Sequence, residues 1–419
     1  MKNLNLVLIV VAAVSILSSC QQGYNGQLLG VMDRPTWRNI NPYGMNYIPS
    51  GTFHIGNSDQ DISFSLQQRT KQISIQGFYM DDTEITNNEY RQFTNWVRDS
   101  IAHVLLDHFE ETEDGTQKID WTYDIFWDDP EEQTALRSLY YDETEQFWGQ
   151  KQLNSKKLIF DYDWYDWKAA AKKSNRGQAR SSFIKSESVA IYPDTLCWIA
   201  DFSYSYNEPM TRNYFWHPAF DEYPVVGITW DQAKAFAAWR TKMWNDFQSE
   251  NGQTMGEDFR LPFEHEWEYA SRGGLDQSPY PWGGPYLRNK KGCVLANFKP
   301  GRGNYPEDGG FYTVRADAYN PNDFGLYNMS GNVAEWTSSA FYENAYSFQH
   351  DMNPDIRYDV EDADNPTMKR KVLRGGSWKD IAHYLQTGTR HWEYADSAKS
   401  YIGFRCALTF LGRSLSDYE

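Results

Sequence analysis

Aromatic residues set the first limit on what this chain can fold into. It carries 17 Trp, 29 Tyr and 23 Phe, yet its mean hydropathy is only −0.72. That much ring surface can build a core, so the net charge of −17 does not signal disorder. The balance of 40 Lys and Arg against 57 Asp and Glu leaves no cationic excess to replace the counterions of a phosphate backbone, which argues against a nucleic-acid partner. The only long apolar run is N-terminal, which excludes an integral membrane bundle. The length of 419 residues admits two or three domains or one large irregular one.

The N-terminus reads as an export signal. Lys2 precedes an apolar stretch from Leu6 to Leu17, followed by Leu17-Ser18-Ser19-Cys20. Small residues directly before a cysteine resemble a bacterial lipobox, so residues 1–19 are expected to be removed and Cys20 to carry acyl chains. Three chains exceed the two-signal threshold for stable membrane attachment. Residues 20–40 then form a tether, and Gln21-Gln22-Gly23 lacks an acidic run, which favours a periplasm-facing protein. Cys197, Cys293 and Cys406 remain in an oxidising compartment, where one disulfide among them is compatible with the count.

Two helices carry start signals. Thr86-Asn87-Asn88-Glu89 and Thr229-Trp230-Asp231-Gln232 are capping boxes, followed by Tyr90, Phe93 and Val97 and by Ala233, Phe236 and Ala237 on one face. A third helix is expected from Pro262 to Ser271, stopped by Gly273-Gly274. Short β-like pieces (Thr52–Ile55, Gln72–Ile75, Val372–Leu373) sit among Gly-, Asn- and Pro-rich turns, so the class is α+β with much irregular chain. Residues 99–215 differ in character, mixing acidic, basic and aromatic runs. Two readings stand: an insertion anchored on the main domain by aromatics, or a protein-docking surface.

Most catalytic motifs are missing. There is no GxGxxG, GxxxxGK[ST] or GxSxG, and His265-Glu266 lacks the second histidine of a zinc protease because position 269 is Tyr. The eight histidines read as isolated structural residues, and Glu264, Glu266 and Glu268 as solvated or salt-bridged groups that cannot share one helix face. Oxygen-rich turns around Asn297-Phe298, Pro306-Glu307-Asp308-Gly309-Gly310 and Asn328–Trp336 offer the carboxylates, amides and carbonyls that calcium takes.

The order of motifs adds a family. Tyr79-Met80-Asp81-Asp82-Thr83-Glu84-Ile85-Thr86-Asn87, Pro224-Val225-Val226-Gly227-Ile228-Thr229-Trp230, Arg260-Leu261-Pro262, Gly325-Leu326-Tyr327-Asn328, Gly331-Asn332-Val333-Ala334-Glu335-Trp336, Arg374-Gly375-Gly376-Ser377-Trp378 and Gly403-Phe404-Arg405-Cys406 resemble the formylglycine-generating enzyme (sulfatase-modifying factor) family. The resemblance implies a C-type-lectin-like variant low in regular secondary structure. It places the domain over residues 41–412, interrupted at about 99–215, with a tail over 413–419. It also implies structural calcium at one or two sites. One set would be Asn297 and Asp308 with carbonyls of Phe298 and Gly310; the other, Asn328 and Glu335 with carbonyls of Gly331 and Val333. The family's two copper-binding thiolates would fall at Asp380 and Leu385, which cannot replace soft ligands, so neither copper nor enzymatic activity is expected. Cys406 matches a structural, disulfide-bonded cysteine of the family, but its partner position near Ala237–Ala238 holds no Cys.

Arg34-Pro35-Thr36-Trp37, the run from Gly77 to Tyr90, and Asn207-Glu208-Pro209-Met210 with His217-Pro218-Ala219-Phe220 are similar to gliding-motility lipoproteins of the GldK/PorK group. That likeness implies a non-enzymatic component of type IX protein secretion, anchored in the outer membrane. It would form a periplasmic ring by self-association and with a GldN/PorN-type partner. The alternatives are the related gliding lipoprotein GldJ, an active oxidase and a lectin-like ligand receptor.

Overall fold

The structure is a computed structural model that describes residues 40–57, 69–112, 115, 117–205, 208–359 and 363–412; the Asp308 side chain, Cys20 and the signal and tail segments lie outside it. The first four strands are β1 (Met45–Ile48), β2 (Gly51–Ile55), β3 (Lys71–Ile75) and β4 (Phe78–Asp81). Helix α1 (Asn87–Leu105) follows, then the short strands β5 (Phe109–Glu111) and β6 (Gln117–Ile119) and the longer β7 (Ile159–Tyr165) and β8 (Ile184–Ala190). Helices α2 (Trp230–Glu250) and α3 (Glu264–Arg272) precede β9 (Ala334–Ala340), β10 (Arg370–Arg374), β11 (His391–Tyr394), β12 (Ile402–Gly403) and β13 (Ala407–Thr409). Asn41–Arg413 forms one compact unit.

Both expected capping boxes form. Thr86 accepts from the Glu89 amide while Glu89 returns to the Thr86 amide, and Thr229 does the same with Gln232, so orphan donors at each N-terminus are satisfied. The third helix starts two residues later than expected and ends at Gly273, whose φ of +58° suits a residue without Cβ.

Two small sheets hold the domain together. The strand order β1-β4-β13 brings the first and last strands of the described domain onto β4, and β11-β10-β9-β12 is antiparallel except for the parallel β9–β12 pair. Between them lies an aromatic core whose rings carry polar tips. Tyr90 stacks on Phe236 at 5.6 Å and donates its hydroxyl to the Ile191 carbonyl. Trp230 and Trp336 give their indole N–H groups to the carbonyls of Thr337 and Ile228. A low mean hydropathy is thus compatible with a full core, because buried Trp and Tyr satisfy nearby backbone acceptors.

The segment expected to be an insertion is anchored on the main domain by aromatic and aliphatic side chains. Helix α1 runs on past residue 99, and Leu158, Phe160 and Ile191 around the β7–β8 hairpin join the main core. Glu187 on β8 holds Lys234 of α2 at 3.1 Å. Trp121, Tyr123, Phe126, Phe147, Trp148 and Trp167 stay exposed.

Candidate functional site

Helix α3 presents Glu264 and Glu268 one turn apart, and both are buried. Contrary to the sequence expectation, these two do share a face, because i and i+4 lie above one another. Arg374 on β10 bridges them at 2.6 and 3.0 Å, Arg390 caps Glu264, and Arg272 pairs with Glu268 at 2.7 Å. Burial alone would raise the Glu264 carboxyl, but Arg390 and Arg374 hold it down to about 2. Glu266 turns to Arg260 at 2.7 Å. His265 meets Gln349 at 2.8 Å. The helix that begins like a zinc-protease motif is therefore committed to a buried ionic lattice.

The turn from Asn328 to Glu335 is next to it. Asn328, Gly331 and Asn332 all have left-handed backbone, with φ of +50°, +84° and +64°, a conformation Gly and Asn adopt most readily. A Cβ on Gly331 would lie 2.4 Å from the Asn297 carbonyl, so this turn and the Asn297 loop are in direct contact. The Asn328 and Asn332 amides donate to the two oxygens of Glu84, each at 3.1 Å. Burial pushes the Glu84 carboxyl up to about 8 despite the Arg405 guanidinium. Glu335 accepts from Arg405 through both oxygens at 2.7 Å and from the Trp267 indole at 2.7 Å.

These placements bear on calcium. At Asn328, Gly331, Val333 and Glu335, an ion would have to share the Glu335 carboxylate with the Arg405 guanidinium. At the other set, the Asn297 amide nitrogen donates to the Tyr312 carbonyl, and its oxygen lies 2.9 Å from a Cβ built on Gly310. An amide oxygen is thus turned toward the 308–310 turn, as a hard-oxygen site there requires.

Asp380 and Leu385 occupy the loop after β10. Asp380 accepts from the Ser377 hydroxyl at 2.6 Å, and Leu385 is fully buried beside Phe298 and Ala296. A carboxylate and an alkyl group do not fit a copper(I) site. Cys197, Cys293 and Cys406 are unpaired. Burial raises the Cys197 and Cys406 thiols, the reverse of what activates a nucleophile. Beside this loop lies a cavity of about 430 Å³, within the usual size range for ligand pockets. Leu287, Val294, Phe298, Ile381 and Ala382 form its apolar wall, with Arg288, Lys299 and Arg302 around it.

Residues 34–410 match the family described as "Sulfatase-modifying factor enzyme 1-like domain". The chain belongs to this family. Among relatives of the sulfatase-modifying-factor domain, it is 36% identical to the inactive Cα-formylglycine-generating enzyme 2 of Bos taurus over 192 residues, 44% of this chain and 50% of that protein. It is 27% identical to the formylglycine-generating enzyme of the same species over 385 residues, 90% of this chain and 78% of that protein. The chain spans about half the length of the inactive enzyme that it matches. The solved structure of PvdO from Pseudomonas aeruginosa aligns with 90% of this chain and 100% of that one, at 15% identity and a TM-score of 0.48. The α+β sulfatase-modifying-factor fold expected from the motifs is the fold observed. Active and inactive members both stand among the relatives, so membership leaves the activity to the residues of the site.

Sequence reasoning missed three features. His103 and His108, read as isolated, face each other with Nδ1 atoms 3.0 Å apart. Their spacing of five at a helix end was the available signal. Glu84 and Arg405 stood inside recognised motifs, but nothing local showed that they converge on the Asn328–Glu335 turn, Glu84 from 244 residues before Asn328 and Arg405 from 70 residues after Glu335.

Proposed function

We propose that this chain is a catalytically silent member of the family that works as a structural lipoprotein of the type IX secretion and gliding-motility machinery. It is held to the outer membrane through Cys20, faces the periplasm and assembles in a ring with a GldN/PorN-type partner. What supports the silent-member part is the donor set: at the two positions that the motif resemblance assigns to the active family's thiolates, this chain carries Asp380, bonded to the Ser377 hydroxyl, and buried Leu385. The exposed aromatics of the 99–215 segment support a role in assembly, because large rings dominate interface cores. The GldK/PorK-like motifs support the choice of machinery. Structural calcium belongs to the same reading at Asn297 and Asp308 with the carbonyls of Phe298 and Gly310. There it would tie two irregular loops together and supply no chemistry.

The test pairs two measurements. Copper(I) titration with a cysteine-containing sulfatase peptide should give no thiol oxidation, and co-purification with the GldN/PorN-type protein should give rings by negative-stain microscopy. Turnover of the peptide would overturn the silent-member reading. Failure to co-purify would overturn the secretion assignment. A Cys20→Ala variant should leave the membrane fraction.

A further inference from the structure

Charge is distributed unevenly over this acidic chain. Between residues 277 and 306 there are five cations (Arg288, Lys290, Lys291, Lys299, Arg302) and no carboxylate. Between residues 120 and 146 there are nine carboxylates against Arg137 alone. The basic stretch builds most of the cavity described above. There Lys299 lies 5.0 Å over the Tyr305 ring, Arg288 pairs with Glu307, and exposed Arg302 stands at the rim.

The acidic stretch ends in a projecting aromatic pair. Asp142, Glu143 and Glu145 are exposed and lead into Phe147 and Trp148, whose rings stack at 4.8 Å. Trp148 is 84% exposed and has a φ of +55°. A left-handed backbone is unfavourable for a bulky side chain, and an indole in water forgoes its burial energy. Both penalties fall on one exposed residue of the segment.

We infer that the cavity between the 287–302 loop and Ile381 receives the Phe147–Trp148 knob of a second copy of this chain. The rings would cover the apolar wall formed by Val294, Phe298 and Ile381. Asp142, Glu143 and Glu145 would approach Lys299 and Arg302. Opposite polarity at two separate places on one chain favours this occupant over a free anion, which would leave the apolar wall uncovered. Knob and cavity are different patches, so the contact is heterologous: each copy offers one of each, and the series either closes as a ring or extends as a filament. The inference deepens the ring-subunit reading and rests on it for closure.

The experiment is sedimentation velocity on the full chain in detergent. The wild type should associate with increasing concentration, and less at high ionic strength. Trp148→Ala, at an exposed position, and the double variant Lys299→Glu/Arg302→Glu should each weaken self-association by at least about tenfold, with circular dichroism unchanged. Mixed together, the two variants should form a one-to-one complex and stop there, because each keeps one intact half of the contact. A monomeric wild type overturns the inference, as does association of either variant like the wild type, or a mixture that stays monomeric. If the wild type assembles and both variants assemble equally well, this contact is wrong while the ring reading stands. A wild type that remains monomeric even with the GldN/PorN-type protein removes the ring reading itself.

Discussion

Replacing Glu264 by Gln removes the hub of the buried lattice while keeping its shape. In the native fold this carboxylate accepts from Arg374 at 2.6 Å and from both the Nε and Nη2 atoms of Arg390, all out of solvent. Two routes give the size of the loss. Arg390 and Arg374 hold the carboxyl at about 2 against an ordinary 4.5, and each pKa unit is worth about 1.4 kcal/mol, so the ionised form contributes about 3 kcal/mol. Breaking a buried pair by removing one partner costs about 3–5 kcal/mol, because a charge is left uncompensated. The folded pKa is depressed, so this stability is present above pH 4.5 and is lost as the pH falls through 2. Urea titrations should therefore place Glu264→Gln about 3–5 kcal/mol below the wild type at pH 7. The gap should narrow toward pH 2. Asp246→Asn, whose pair with Lys242 is open to solvent, serves as the control and should stay within about 0.5 kcal/mol. A gap of under about 1 kcal/mol at pH 7, or one that does not change with pH, would refute the reasoning.

Glu84 should titrate with the opposite sign. Its folded pKa of about 8 lies above the unfolded 4.5, so wild-type stability falls as pH rises between them, by at most about 5 kcal/mol. Glu84→Gln should lose that slope, and an unchanged pH profile in the variant would sink the idea. Gly331→Ala should cost about 2 kcal/mol or more in a denaturant titration, because it adds a Cβ at φ +84° and 2.4 Å from the Asn297 carbonyl; a neutral result would mean that the two loops can separate freely. Chelation should lower the melting midpoint of the wild type, and Asn297→Ala should abolish that response, since the stabilisation is ligand-linked. Equal midpoints with and without chelator in the wild type would remove calcium from the proposal.

Local chemistry was enough for part of this protein. The capping boxes at Thr86 and Thr229, the Gly273 stop and the three strand pieces were legible because each is decided within a few residues by hydrogen-bond supply and backbone sterics. The ordered motifs carried the family and the position of Asp380 and Leu385. Pairing across distance was not legible. Arg405 meets Glu335, Arg374 joins Glu264 to Glu268, and Asn328 and Asn332 meet Glu84, each over separations that no periodicity encodes. Burial decides these outcomes: in water the same carboxylates would be interchangeable surface groups, whereas inside the fold each must find its own cation or amide. The sequence by itself determined which residue types were available and where helices begin. Only the tertiary structure decided that one buried glutamate is held near 2 while another is raised to about 8, and that Trp148 stands in solvent rather than in the core.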